Sequence, residues 1–162
     1  ALLQAATILH EQGVPFTMLL AGPSMPSFRK AWRMLPSVVR SHIQLLGILT
    51  DEEKPDFYAA LDVFALPSRS DSFGLVLLEA WANGIPCIGY RAGGIAEVIR
   101  HDEDGILVPC GDVPALASQL AVLLRSDSKR ATLGLQGKKK VASEHQWEDK
   151  LAIVRRVYQA IT

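Results

Sequence analysis

The sequence predicts an α/β fold, a doubly wound parallel sheet, on three observations. Short apolar segments alternate with helical ones along the chain. Those apolar segments are continuous rather than alternating, as in strands covered on both faces. The final third, from Val113 onward, reads as helix alone.

The elements follow in order. Leu2 to Gln12 has helical spacing, and Pro15 to Ala21 is an apolar run of strand length. Ser27 to Leu35 reads as helix, Ile43 to Leu46 as strand, Pro55 to Leu61 as helix and Val63 to Leu66 as a short strand. Gly74 to Asn83 is an apolar helix closed by Gly84. Pro86 to Tyr90 is a strand, Ile95 to His101 a helix and Ile106 to Pro109 a last strand. Three helices close the chain: Val113 to Arg125, Ser128 to Ala142 and Trp147 to Ile161. Asp112 is placed to cap the first of them, with Pro114 in its opening turn. Residues 1–162 are thus expected to form a single domain, with C-terminal helices over 113–161.

Composition narrows the function classes. Lys plus Arg (17) balance Asp plus Glu (17), so no global field draws the chain to nucleic acid or an anionic membrane. No apolar run approaches the roughly 18 residues of a membrane span. Cys87 and Cys110 belong to no C-x-x-C or Cys/His cluster, which suits a soluble domain in a reduced, cytoplasmic setting. The run Lys138 to Lys140 is expected on a solvated helix face, and Asp102 to Asp104 in a solvated turn rather than a metal clamp. His10, His42, His101 and His145 are scattered over separate elements and are expected as fillers. The chain opens inside a helix without Met or a basic leader, so sequence upstream is expected.

In doubly wound sheets, ligands lie beyond the carboxyl ends of the strands. After Val63 to Leu66 the chain reads PSRSDSFGLVLLEAWANG, a polar loop running straight into an apolar helix. Asp71 or Ser72 is placed to cap that helix, and the free amides near Phe73, Gly74 and Leu75 make an anion site with the helix dipole. Glu79 is the one charged residue from Phe73 to Trp81, and a buried carboxylate needs a partner. That partner is a ligand, a neighbouring Arg or a loop that Glu79 caps. Asp71 lies roughly 10–12 Å from it along the helix, a span that suits a sugar nucleotide. In RAGGIAEVI, Gly93 and Gly94 open a second helix toward the same crevice, and Glu97 meets either its own helix dipole or the ligand.

These motifs, PSRSDSFGLVLLEAWANGIP, GGIAEV and GILVPCGD in this order, resemble the C-terminal domain of the retaining GT-B glycosyltransferases, group 1 or family 4, over nearly the whole chain. The resemblance implies transfer of a sugar from a UDP-, GDP- or ADP-sugar to a glycan or lipid hydroxyl with retention, in polysaccharide or glycolipid synthesis, with no metal at this site. Asp71 and Glu79 would carry the catalytic signature, Asp71 positioning the transferred sugar rather than attacking it and Glu79 holding the ribose. Ser72, Phe73, Gly74 and Leu75 would hold the sugar and diphosphate, with Gly93 and Gly94 facing them, and the Leu49 backbone would meet the base.

The sequence departs from that family in having Asp71 for the usual Glu, Ser72 for Gly and Trp81 for Met. The family's first strand and its G-R-x-x-x-x-K-G loop have no match here. The chain is therefore expected to be an excerpt lacking that strand, central in the order 3-2-1-4-5-6. It is expected to lack the acceptor-binding N-terminal domain too, the part expected to make any peripheral contact with the cytoplasmic membrane face. Alone, it is expected to be inactive. The alternatives are a sugar-nucleotide epimerase of the same architecture and a non-catalytic nucleotide-binding module.

Overall fold

The computed structural model describes residues 1–160, of which 147–150, 153 and 160 are described by backbone alone. Helix α1 (Leu2–Glu11) leads to strand β1 (Met18–Ala21). Helices α2 (Pro26–Met34) and α3 (Ser37–Arg40) precede β2 (Ile43–Gly47). Then come α4 (Lys54–Ala59), β3 (Phe64–Leu66), α5 (Leu75–Ala82), β4 (Cys87–Tyr90), α6 (Ile95–Val98) and β5 (Gly105–Val108). Helices α7 (Val113–Arg125), α8 (Asp127–Glu144) and α9 (Trp147–Ala160) follow, so the expected end of the last helix, Ile161, lies outside the described residues. Asp112 caps α7 as expected, accepting from the Ala115 amide at 2.9 Å.

All strand pairs are parallel, in sheets of order β1-β2 and β3-β4-β5. Alternate residues of the central sheet face opposite layers. Ile88, Tyr90, Ile106 and Val108 pack with Leu9 of α1 and Leu116 and Leu120 of α7. Cys87 and Leu107 pack on the other side with Leu77 and Trp81 of α5 and Ile95. Each Leu or Ile buried this way stabilises by about 1.5–3 kcal/mol, so this three-layer block carries the fold.

Beside that block, β1 and β3 do not pair with each other. They face one another across a cavity of about 810 Å³, lined by Met18 to Ala21 and by Phe64 to Leu66. The spatial order is therefore β2-β1, cavity, β3-β4-β5.

Five expectations need correction. β2 is not covered on both faces: from Gln44 to Gly47 it is exposed. Its apolar composition promised burial, but only Ile43 reaches a cluster, with Leu3, Leu35 and Val39. Helix α6 stops at Val98 rather than His101, because Ile99 turns extended and Arg100 gives its amide to the Asp104 carboxylate at 2.8 Å. The short helix α3 had no periodicity long enough to register. Lys140 is not solvated: it is 6% exposed, unlike Lys138 and Lys139. Its ammonium pairs with Asp104 at 2.7 Å, donates to the Val98 carbonyl and lies 5.1 Å from the centre of the Trp81 ring.

Asp104 is accordingly no solvated turn residue, being 3% exposed, while Asp102 is exposed with a φ of 63°. Burying two ions requires such pairing. Trp81 completes the knot by donating from Nε1 to the Asp104 carbonyl at 3.0 Å, and its indole fills room that a side chain at Gly137 would take.

Candidate functional site

The site residues lie at the carboxyl ends of β2, β3 and β4, where loops enter α4, α5 and α6. The loop from Pro67 to Gly74 is shaped by its own chemistry. The Asp71 carboxylate accepts the Phe73 amide at 3.1 Å, a turn that Asp forms readily. Gly74 then takes φ +77°, which a side chain would resist, and its carbonyl starts α5 by accepting from Leu77 at 2.8 Å. Neither Asp71 nor Ser72 caps α5 as expected: the N-cap position is Gly74, which has no side chain to offer, while Asp71 shapes the loop before it and Ser72 is exposed.

Among the described residues, the amides of Gly74 and Leu75 donate to no acceptor in the chain. Leu75 is 62% exposed, so the helix start opens to solvent there, while Gly74 before it and Leu77 and Ala80 after it are buried. Open amides with the positive end of the helix dipole suit a phosphate group. The Phe73 ring stands edge-on to His145, their centroids 5.8 Å apart.

Gly93 and Gly94 are close to this loop. Gly94 donates its amide to the Asp71 carbonyl at 2.9 Å, so that amide is already used. A Cβ at Gly93 would lie 2.5 Å from the same oxygen, and one at Gly94 would strike the Ser72 carbonyl and come within 2.8 Å of the Phe73 Cα. The pair acts by letting two backbones touch. Glu97, in the first turn of α6, is exposed.

Glu79 and Leu49 line the same cavity, the one beside β1 and β3, together with Lys54, Tyr58 and Val76. Glu79 is half-buried, and its partner is neither an Arg nor a loop: the Tyr58 hydroxyl donates to Glu79 Oε2 at 2.6 Å. Burial first, and then the Glu79 carboxylate, push the Tyr58 phenol well above the ordinary tyrosine range. Lys54 pairs with Asp51 at 2.6 Å, and that carboxylate, with a smaller contribution from Glu79, holds its ammonium above the usual value.

Two groups of residues therefore emerge. Asp71 to Leu75 with Gly93 and Gly94 form one contact network, and Leu49 with Glu79 form the other. Helix α5 joins them, since Glu79 follows Leu75 by one turn, roughly 6 Å of rise. Tyr58 carried no local signal, because its partner lies 21 positions away, and the near pairing of Lys54 with Asp51 gave no hint that Lys54 lines the same cavity as Glu79. His101 binds the Leu107 amide through Nδ1 at 3.1 Å, a structural role.

Comparison with known proteins extends this geometry. A family profile described as "Glycosyl transferases group 1" matches residues 1–126. The N-acetyl-alpha-D-glucosaminyl L-malate synthase of Bacillus anthracis is 32% identical over 142 residues, covering 87% of this chain and 36% of that protein. Sucrose-phosphate synthase from Thermosynechococcus elongatus superposes with a TM-score of 0.83 at 27% identity, over 97% of this chain and 41% of that one. The C-terminal domain of a group 1 glycosyl transferase, LpcC, from Francisella tularensis gives 0.78 at 26% identity, over 90% of this chain and 78% of that domain. The chain spans between 22% and 39% of the length of the curated relatives it matches.

Proposed function

The chain belongs to the group 1 glycosyl transferases, and from that premise we propose that residues 49–97 bind the nucleotide end of a sugar donor, as half of an enzyme that moves the sugar to an acceptor hydroxyl. The observation that carries this reading is the meeting of Leu49 and Glu79 in one cavity, one helical turn from an open helix start. A nucleoside diphosphate sugar has its parts in that order: base at Leu49, ribose at Glu79, diphosphate at the Gly74 and Leu75 amides, sugar toward Asp71.

The chemistry follows from where charge develops. As the bond to the sugar breaks, negative charge gathers on the departing diphosphate, and fixed amides and a helix dipole stabilise it without reorganising. Asp71 orients the sugar, and the reaction retains configuration with no metal at this site. The donor is a UDP-, GDP- or ADP-sugar. The acceptor, a glycan or lipid, is held by a separate N-terminal domain, through which the enzyme touches the cytoplasmic face of a membrane. No helix among the described residues is long and apolar enough to cross one.

The cavity between β1 and β3 supports the excerpt reading. A further parallel strand there would bring a cation-bearing loop to the diphosphate, and without it these residues bind donor but do not transfer. The family match sets aside the epimerase reading.

Calorimetric titration with UDP, GDP and ADP tests the proposal in the full chain. One of them binds, and Glu79→Ala weakens it at least tenfold, as the loss of a hydrogen bond to a charged group requires, with thermal unfolding in the absence of nucleotide measuring separately the loss of the Tyr58 bond. Unchanged binding by Glu79→Ala defeats the assignment.

A further inference from the structure

Resting on the donor-site reading above, we propose that Tyr58 is a positioning residue that sets the Glu79 carboxylate for the two hydroxyls of the ribose and so makes the site select ribonucleotides. Tyr58 is 5% exposed and lines the cavity that Glu79 and Leu49 share. Its ring is locked by edge contacts to Phe57, with centroids 5.3 Å apart, and to Phe64, at 5.7 Å. A locked ring fixes where its hydroxyl points.

The donor and acceptor inventory says what that does. A phenol has one proton, and Tyr58 gives it to Glu79 Oε2 at 2.6 Å. An ionised carboxylate has two oxygens and only accepts, so Oε1 and the remaining lone pairs of Oε2 stay available. Among the described residues, no other side chain donates to this carboxylate. A ribose offers two adjacent O–H donors, the complement of such a surface. Without the phenol, the carboxylate keeps its charge but swings about its side-chain torsions, and its interaction with both hydroxyls at once is lost. The Tyr58 ring also packs in one cluster with Leu77, Ala80 and Trp81 of α5, so the variant that isolates its effect on the carboxylate is the one that removes the hydroxyl and keeps the ring.

The test uses Tyr58→Phe in the full chain, with whichever of UDP, GDP and ADP the wild type binds and the matching 2′,3′-dideoxynucleoside diphosphate. The wild type prefers the ribonucleotide. The variant binds that ligand about tenfold more weakly and its dideoxy form within about twofold of wild type, as loss of a charge-assisted positioning bond implies. Thermal unfolding with and without ligand reports folding separately. Equal weakening toward both ligands makes Tyr58 a packing residue and overturns the proposal, as does no weakening toward either. A wild type indifferent to the dideoxy form removes Glu79 from the ribose, and this inference with it. Binding of none of the three nucleotides defeats the donor-site reading itself.

Discussion

The Gly94 amide donates to the Asp71 carbonyl oxygen at 2.9 Å, so the loop after β4 holds the loop after β3 by its backbone. Gly94→Ala adds a Cβ that strikes the Ser72 carbonyl, and neither partner is a flexible side-chain end that could give way. The loops must separate. We expect a stability loss of about 1–3 kcal/mol, typical of overpacking, together with weaker binding of nucleoside diphosphate. Chemical denaturation and calorimetry measure the two; full affinity in a stable Gly94→Ala protein would show that the loop contact does not shape the site.

Asp71 caps its own loop through the Phe73 amide and is assigned to the transferred sugar. Asp71→Ala should therefore weaken the complete sugar nucleotide about tenfold while leaving the bare nucleoside diphosphate within about twofold. Asp71→Glu should restore sugar binding. Equal losses for both ligands would place Asp71 in loop folding alone.

The Lys140 and Asp104 pair is 6% and 4% exposed at its side chains. Lys140→Met strands a buried carboxylate and should cost about 3–5 kcal/mol, whereas replacing both by apolar residues of similar size should cost less than the two single losses together, the remainder coming from the Arg100 amide and Val98 carbonyl left without partners. A double-mutant cycle by denaturant unfolding decides. Additive single losses would mean that the two charges do not sense each other.

Tyr58 also predicts an alkaline limit. Its phenol is held protonated in the folded chain above the ordinary value of about 10, so folded and unfolded chains carry the same proton below that pH. Above it the unfolded chain gives up the proton first. Stability should then fall as pH rises past about 10, more steeply for wild type than for Tyr58→Phe. Parallel stability curves from pH 8 to 11 would contradict the assignment.

Local pattern revealed what depends on neighbours along the chain. The apolar runs around Ile88 and Ile106 marked the buried strands, Asp112 with Pro114 marked the start of α7, and the loop into Leu75 marked the open helix end. Strand limits shifted where pairing decides them: Pro15 to Thr17 precede β1, which begins only where Met18 meets Ile43. Long-range partners left no trace. Lys140 follows two exposed lysines, and nothing adjacent tells that Asp104, 36 positions earlier, awaits it. Glu79 was recognisable as a carboxylate in need of a partner, but the identity of that partner, 21 positions away on another helix, is a product of the fold. Gly93 and Gly94 invited a ligand reading because glycine permits any close approach; here the approaching group is the chain itself.

The cavity beside β1 and β3 has a bearing on handling the protein. Two strand edges turned toward the same gap offer backbone donors and acceptors to any extended peptide, and such edges drive association between chains. Expressed by themselves, residues 1–162 should therefore be prone to pairing edge to edge at high concentration, and an added apolar peptide of strand length should suppress that pairing by occupying the gap. Light scattering with and without the peptide would make the gap a practical handle on solubility.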